Sequence, residues 1–183
     1  MALTKTPVCD FGKKAEDFKL KSINNKEITL NDIKGEKATL IMFICNHCPY
    51  VKAIIKELAK DCNELKKDGI NSVAIMSNDT KNYPEDSFEN MIKFADNNNF
   101  GEIKYLFDET QETAKKYGAV CTPDPFLFDS DRKLVFHGRI DDAMNPDAVA
   151  NEKVMINNIE KFLNGEKIEK DFDPSIGCSI KWK

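Results

Sequence analysis

An α/β fold, a sheet flanked by helices, is predicted from three features of the 183-residue sequence. Residues 38–44 form an uncharged run that is apolar apart from Thr39, as a buried strand would be. The next segment, from Val51 to Lys67, places Val51, Ile54, Ile55, Leu58, Cys62 and Leu65 at helical spacing, with Lys52, Lys56, Lys60, Glu64 and Lys67 mostly off that face. A second buried strand, residues 70–76, follows the stop signal Lys66-Lys67-Asp68-Gly69. Strand, helix and strand in this order are the repeating unit of an α/β sheet.

The remaining elements follow in order. Residues 1–14 read as an irregular arm, with Cys9 a packed small hydrophobe. Residues 18–21 and 27–30 alternate in strand fashion around the turn residues Asn24-Asn25, so an N-terminal β-hairpin is expected. Asn31-Asp32-Ile33 starts a helical turn that Gly35 stops. Residues 77–87 are polar and contain Pro84; they read as a loop at the carboxyl edge of the sheet, where open α/β sheets form binding crevices. A helix over 88–96 carries Met91, Ile92 and Ala95 on one face, and Asn97-Asn98-Asn99 ends it. A short strand at 105–107 and a short helix at 110–117 lead to Cys121-Thr122-Pro123-Asp124-Pro125. Residues 126–128 and 133–137 form a hairpin, on which His137 reads as a structural histidine. Residues 146–162 read as the last helix, closed by Asn164-Gly165.

Composition bounds the function. Hydrophobic residues make up 41% of the chain, enough for a full core, and no repeat or linker divides it. Residues 1–170 are therefore expected to form one domain, with the arm and hairpin over about 1–31. Residues 171–183 form a tail, and its Trp182, the only tryptophan, is expected to dock that tail on the body. A net charge of −4 with both signs interspersed argues against a nucleic-acid partner. No apolar run is long enough to span a membrane, and the first residues lack the apolar core of a signal peptide. A cytoplasmic location is expected, where six cysteines point to catalytic or metal-binding thiols before structural disulfides.

Cys45-Asn46-His47-Cys48-Pro49 lies where the first buried strand meets the helix. The first turn of a helix presents unpaired N–H groups and a partial positive charge. A thiolate there is stabilised below the ordinary cysteine pKa of about 8.5. Cys45 is expected at the helix entrance facing solvent, Cys48 one turn in behind it, and His47 between them tuning Cys45. Pro49 is tolerated in the first turn. The competing readings are a pair of core cysteines and half of a zinc site; zinc would need two more ligands at close spacing, and no second pair follows.

The context of this motif resembles the thioredoxin-like fold, and within it the redoxin branch, the alkyl hydroperoxide reductase and thiol-specific antioxidant group, which includes peroxiredoxins and membrane-tethered thiol-disulfide reductases. Three further stretches carry the resemblance. Gly12-Lys13-Lys14-Ala15-Glu16-Asp17-Phe18-Lys19-Leu20 is similar to the opening G-x-x-A-P-D-F-x-L, with Glu16 in place of proline. Lys34-Gly35-Glu36-Lys37 is similar to the turn before the first core strand. The stretch from Tyr117 to Pro123, with Phe126-Leu127-Phe128-Asp129 after it, is similar to the cis-proline loop and its strand. The resemblance implies a central mixed β-sheet flanked by helices, with the hairpin as an N-terminal extension. It also implies a cis-proline at Pro123 opposite the two cysteines, and backbone at Thr122 that pairs with a substrate peptide.

Three functions fit these residues. The first is thiol–disulfide exchange in cell redox homeostasis: Cys45 attacks a substrate disulfide and Cys48 resolves the mixed disulfide. Thr122, Asn46 and Pro123 hold the substrate, and Cys121 and Cys178 are possible additional redox thiols. The partners would be a protein or small-molecule disulfide and an upstream thiol reductant, with the chain a monomer or homodimer; no cofactor and no metal are called for. Related reductases carry an aromatic before the first cysteine and an acid on the preceding strand, where this chain has Ile44 and Thr39; membrane-tethered relatives have an acid at Ile54. The second is peroxide reduction with Cys48-Pro49 at the peroxidatic position. There Cys45 replaces a Thr or Ser, and Pro125 stands where the family has its arginine, leaving Arg132 and Arg139 nearby in sequence. The third is non-catalytic carriage of a soft metal such as copper by Cys45 and Cys48, with His47, Cys121 or Cys178 as further ligands.

Overall fold

The computed structural model describes residues 3–6, 11–168 and 173–183; Cys9 lies outside them. The strands and helices are β1 (Leu3–Lys5), β2 (Lys19–Ser22), β3 (Glu27–Thr29), β4 (Ala38–Phe43), α1 (Pro49–Leu65), β5 (Ile70–Met76), α2 (Phe88–Asn97), β6 (Lys104–Phe107), α3 (Glu112–Tyr117), β7 (Cys121–Thr122), β8 (Asp124–Asp129), β9 (Leu134–His137), α4 (Val154–Leu163) and β10 (Ile176–Ser179). Seven strands form a mixed sheet in the order β3-β2-β6-β5-β4-β8-β9, and β1-β10-β7 form a second, three-stranded sheet. Pairs β4–β5 and β5–β6 are parallel, whereas β8 runs antiparallel to β4 and the β2–β3 hairpin antiparallel to β6.

The apolar run of β4 lies at the centre of the large sheet, and every residue of it is buried. Successive side chains of a strand point to opposite faces. Leu40 and Met42 therefore pack under α1 with Val51, Ile55, Leu58 and Cys62, while Ile41 and Phe43 pack on the other face with Ala114, Tyr117 and Phe126. Each such side chain contributes about 1.5–3 kcal/mol when taken from water. Burial on both faces holds the carboxyl end of β4, where Cys45 begins, in a fixed place at the sheet's edge.

Two elements differ from the sequence reading. Residues 146–153 are not helical, and α4 starts only at Val154. The loop before it is held by Asp142, whose Oδ1 accepts from Asn151 N at 2.7 Å and Glu152 N at 3.1 Å. Those bonds compete with helix formation for the same N–H groups. The arm is also not wholly irregular: Leu3–Lys5 forms β1 against β10, with Leu3 opposite Cys178.

The tail pairs as a strand, while Trp182, expected to dock it, stays 41% exposed. β10 sits between β1 and β7, with Cys178 opposite Thr122 and Ser179 opposite Cys121. Lys181 N donates to Asn78 Oδ1 and its carbonyl accepts from Gln111 Nε2, both at 2.8 Å. Lys115 lies over the Trp182 ring at 5.6 Å. Gly177 permits the close approach of β10, because a Cβ there would lie 1.9 Å from the Thr122 carbonyl oxygen. Gly177→Ala is accordingly expected to lift β10 from β7, destabilise the protein by about 1–3 kcal/mol and speed the reaction of the Cys45 and Cys48 thiols with an aromatic disulfide reagent. Unchanged thiol reactivity would contradict this seating of the strand.

Candidate active site

The chain leaves β4 at Ile44 and enters α1 at Pro49, so the Cys45–Cys48 segment forms the turn between them. Cys48 is the N-cap of α1 and Pro49 its first residue. Both cysteines thus precede the helix, and neither faces solvent: Cys45 is 1% exposed and Cys48 0%. The expectation of a solvent-facing Cys45 with Cys48 a turn inside is corrected on both counts. Burial follows from the cover above the motif, made by the Thr122–Pro123 loop and β10.

Thr122 ties the pair together. The Thr122–Pro123 bond is cis, as the resemblance implied. Thr122 Oγ1 lies 3.4 Å from Cys45 Sγ, and the Cys48 thiol donates to the Thr122 carbonyl oxygen at 3.2 Å. Thr122 and Pro123 therefore stand opposite the cysteines. Yet the Thr122 edge, expected to receive a substrate strand, is already paired with β10 of the same chain.

The electrostatics separate the two sulfurs. A hydrogen bond from Cys45 is the main cause that brings Cys48 down to about 5; burial opposes it, and contacts from Cys178 and the Val51 N–H add to it. The same bond, seen from the donor, raises Cys45 well above an ordinary thiol; burial and the Asp86 carboxylate push it further up. Cys48, at the helix cap, is thus the more readily ionised sulfur of the pair, and as a thiolate it would give up its donation to the Thr122 carbonyl.

His47 is oriented by a residue that the sequence did not single out. Asp86 is fully buried, and its Oδ2 accepts from His47 Nδ1 at 2.6 Å and from Asn78 Nδ2 at 2.7 Å. Its Oδ1 accepts from the backbone N–H of Asn46 at 2.8 Å and of His47 at 3.3 Å. Asp86 thereby fixes both the backbone of the motif and the imidazole. Tyr83 stacks on His47, with centroids 5.6 Å apart. The 77–87 loop was legible as crevice-lining; which of its acids turns inward depends on the short 3-10 turn at Pro84–Asp86, which brings Asp86 under the motif.

The Asp86 bond raises the His47 pKa, against the effect of burial. Burial works to raise Asp86, but the His47 and Asn78 bonds overcome it and hold the carboxyl below its usual range. The His47 contribution to stability is full below the unfolded value of about 6.5 and is lost as pH rises through the raised folded value. The Asp86 contribution is present above the unfolded value of about 3.9 and is lost as pH falls through the lowered one. Asp86→Asn is therefore expected to cost about 2–3 kcal/mol near pH 5.5, and less near pH 9. Denaturant titration at the two pH values checks this; an equal loss at both would contradict the charged pair.

The other candidates are placed as follows. Asn46 is turned inward, with Oδ1 accepting from Tyr105 OH at 2.9 Å and Nδ2 donating to the Glu85 carbonyl at 3.1 Å, so its amide is taken up by the protein itself. Cys121 points to the opposite face of β7 from Thr122, where it meets Thr6 Oγ1 at 3.3 Å, and burial first, then the Asp124 carboxylate, raises its thiol. Cys178 is on the Thr122 side of the sheet, within hydrogen-bonding reach of Cys48. Arg132 pairs with Asp17 at 3.2 Å, on the hairpin side. Arg139 pairs with Asp173 at 3.3 Å and lines a cleft of about 180 Å³ with Tyr50, Ile54, Pro123, Ile140 and Ile156. Ligand atoms of Cys45, His47 and Asp86 lie within 4.8 Å of one another. Both Asp86 oxygens and His47 Nδ1 are already committed to hydrogen bonds, so a metal would have to displace them.

A mixed sheet with two cysteines at the junction of a central strand and a helix, facing a cis-proline loop, defines a thioredoxin-like cysteine oxidoreductase. The chain belongs to the AhpC/TSA family, whose family model matches residues 11–137. A solved structure of an uncharacterized conserved protein from Geobacillus kaustophilus is 42% identical, with a TM-score of 0.94 over 100% of this chain and 97% of that one. Thiol-disulfide oxidoreductase ResA of Bacillus thuringiensis subsp. konkukian is 26% identical over 72% of this chain and 71% of its own. The thioredoxin domain of a thiol-disulfide oxidoreductase from Bacteroides vulgatus shares the fold, with a TM-score of 0.65 at 19% identity over 85% of this chain and 99% of that one.

Proposed function

We propose that the protein is a thiol-disulfide oxidoreductase that cycles Cys45 and Cys48 between dithiol and disulfide in cell redox homeostasis. The observation that carries this reading is the placement of both sulfurs against Thr122 beside the cis-proline, Cys45 Sγ 3.4 Å from its hydroxyl and Cys48 Sγ 3.2 Å from its carbonyl oxygen, with Cys48 the more readily ionised of the two. In the exchange, the Cys48 thiolate attacks one sulfur of a substrate disulfide and the other sulfur leaves with the electron pair. The Cys45 thiol, once deprotonated, then attacks Cys48, forming the Cys45–Cys48 disulfide and releasing the second substrate thiol. An upstream thiol reductant returns the pair to the dithiol. Assigning attack to Cys48 reverses the roles expected from the order of the motif, and the reason is that contact with Cys45 lowers the Cys48 thiol while burial and Asp86 help to raise Cys45. His47, fixed by Asp86, is a positioning residue at the motif. The cleft beside Pro123 is lined by neither cysteine, so a substrate reaches the sulfurs only if the Thr122–Pro123 loop and β10 that cover them move aside.

The cap position of Cys48 next to Pro49 also favours a second reading, peroxide reduction with Cys48 as the peroxidatic thiol. Parallel assays separate the two. Reduction of insulin, with a Cys45–Cys48 disulfide accumulating when the reductant is withheld, supports exchange. Oxidation of Cys48 to a sulfenic acid by peroxide in Cys45→Ser, without insulin reduction by the wild type, replaces it with the peroxidase reading.

A further inference from the structure

β10 occupies the position on the Thr122 edge that a substrate strand was expected to take, and it carries a thiol. Residues directly opposite in an antiparallel pair point to the same face, with Cβ atoms about 4.5–5.5 Å apart. Cys178 is directly opposite Thr122, whose hydroxyl meets Cys45 at 3.4 Å and whose carbonyl accepts from Cys48 at 3.2 Å. Cys45, Cys48 and Cys178 share one buried cluster. Cys121, one residue along, is on the other face and serves as an internal contrast.

We propose that Cys178 is a third redox thiol, which takes the disulfide from the Cys45–Cys48 pair and so latches β10 covalently over the Thr122 edge in the oxidised protein. The proposal rests on the thiol–disulfide reading above. The step conserves atoms and electrons: the Cys178 thiolate attacks Sγ of Cys48, a Cys48–Cys178 bond forms, the Cys45–Cys48 bond breaks, and the electron pair leaves on Cys45, which takes up the proton that Cys178 gave. Oxidation itself is done earlier, by the substrate disulfide.

The environment of Cys178 makes the step dependent on the state of the pair. Burial comes first among the causes that push its thiol up to about 12, and the Cys48 sulfur beside it comes next; Lys181 opposes both. In the Cys45–Cys48 disulfide, Cys48 carries no negative charge. The Cys48 share of that suppression is then removed while burial remains, so Cys178 is a better nucleophile when there is a disulfide to attack than when the pair is reduced. β10 is already held in place by Gly177, Lys181 and pairing to β1 and β7, so the attack needs no ordering of a mobile segment.

The test is disulfide mapping of the full chain after oxidation with diamide, acid quench, alkylation and proteolysis, on the wild type, Cys45→Ser and Cys178→Ser. The wild type is expected to yield both Cys45–Cys48 and Cys48–Cys178 linked peptides. Cys45→Ser is expected to yield Cys48–Cys178 within one chain, and Cys178→Ser only Cys45–Cys48. Cys178 remaining fully alkylated in the oxidised wild type, with Cys45–Cys48 formed, would overturn the third-thiol role and leave the exchange reading intact. A wild type in which Cys45 and Cys48 form no disulfide at all would overturn the exchange reading itself. The wild-type map decides the question even where a serine variant folds poorly.

Discussion

Cys48→Ser is expected to lower disulfide reductase activity by a factor on the order of a thousand or more, the scale on which enzymes respond to loss of their nucleophile. The argument is electrostatic. Cys48 caps α1, and contact with Cys45 brings its thiol down to about 5 against the cost of burial, so it ionises ahead of the other cysteines. A serine hydroxyl at the same cap keeps the hydrogen bonding and loses the nucleophile. Iodoacetamide alkylation of Cys48 across pH should show a midpoint far below that of an ordinary thiol of about 8.5. Cys62 is the control. It is buried on the apolar face of α1 under Ile55 and Leu58, and burial pushes its thiol up to about 12. Cys62→Ala is expected to leave activity nearly intact, and equal loss from Cys48→Ser and Cys62→Ala would refute the assignment of the site.

The second large effect is on stability. Asp124, the residue after Pro123, and His137 both have fully buried side chains, and His137 Nε2 and Asp124 Oδ1 share a hydrogen bond of 2.7 Å. The same oxygen accepts from Thr6 Oγ1 at 3.0 Å, and His137 stacks on Phe126 with centroids 3.9 Å apart. This network ties the arm, the cis-proline strand β8 and the return strand β9 to one another beneath the site. Asp124→Ala is expected to cost about 3–5 kcal/mol, because it removes one member of a buried pair and leaves the cost of burying the other. Asp124→Asn keeps an oxygen that can accept both bonds and is expected to cost about 1 kcal/mol. Urea unfolding of the two variants distinguishes these outcomes; a loss below about 1 kcal/mol in Asp124→Ala would mean that the pair does not hold the strands.

The parts of the fold that were legible in the sequence are those with a local cause. The uncharged run of β4, the apolar face of α1 and the turn chemistry between β2 and β3 each declare themselves within a few residues. His137 was legible as a structural histidine because it alternates onto one face of a strand. The parts that were not legible depend on distant partners. Leu3–Lys5 has no apolar alternation of its own and becomes β1 only through β10, far along the chain. Residues 146–153 have helix-compatible composition, but Asp142 claims the N–H groups of Asn151 and Glu152. At the site, the Cys-x-x-Cys spacing and the strand-to-helix context located the sulfurs, but not which of them carries the charge. That depends on the contacts Cys48 makes with Cys45, Cys178 and the Val51 N–H, which only the fold brings together. Asp86 was hidden among other surface-type acids of a polar loop until the fold turned it inward.

The reversible Cys45–Cys48 couple is tested most directly by equilibrating the wild type against a graded series of reduced and oxidised glutathione, then trapping and mapping its thiols. The account predicts that Cys48 leaves the thiol pool together with a partner cysteine, Cys45 first, in a two-electron transition that reverses fully on reduction. Cys45 and Cys48 both remaining alkylatable across the whole series, while the protein stays folded, would contradict it.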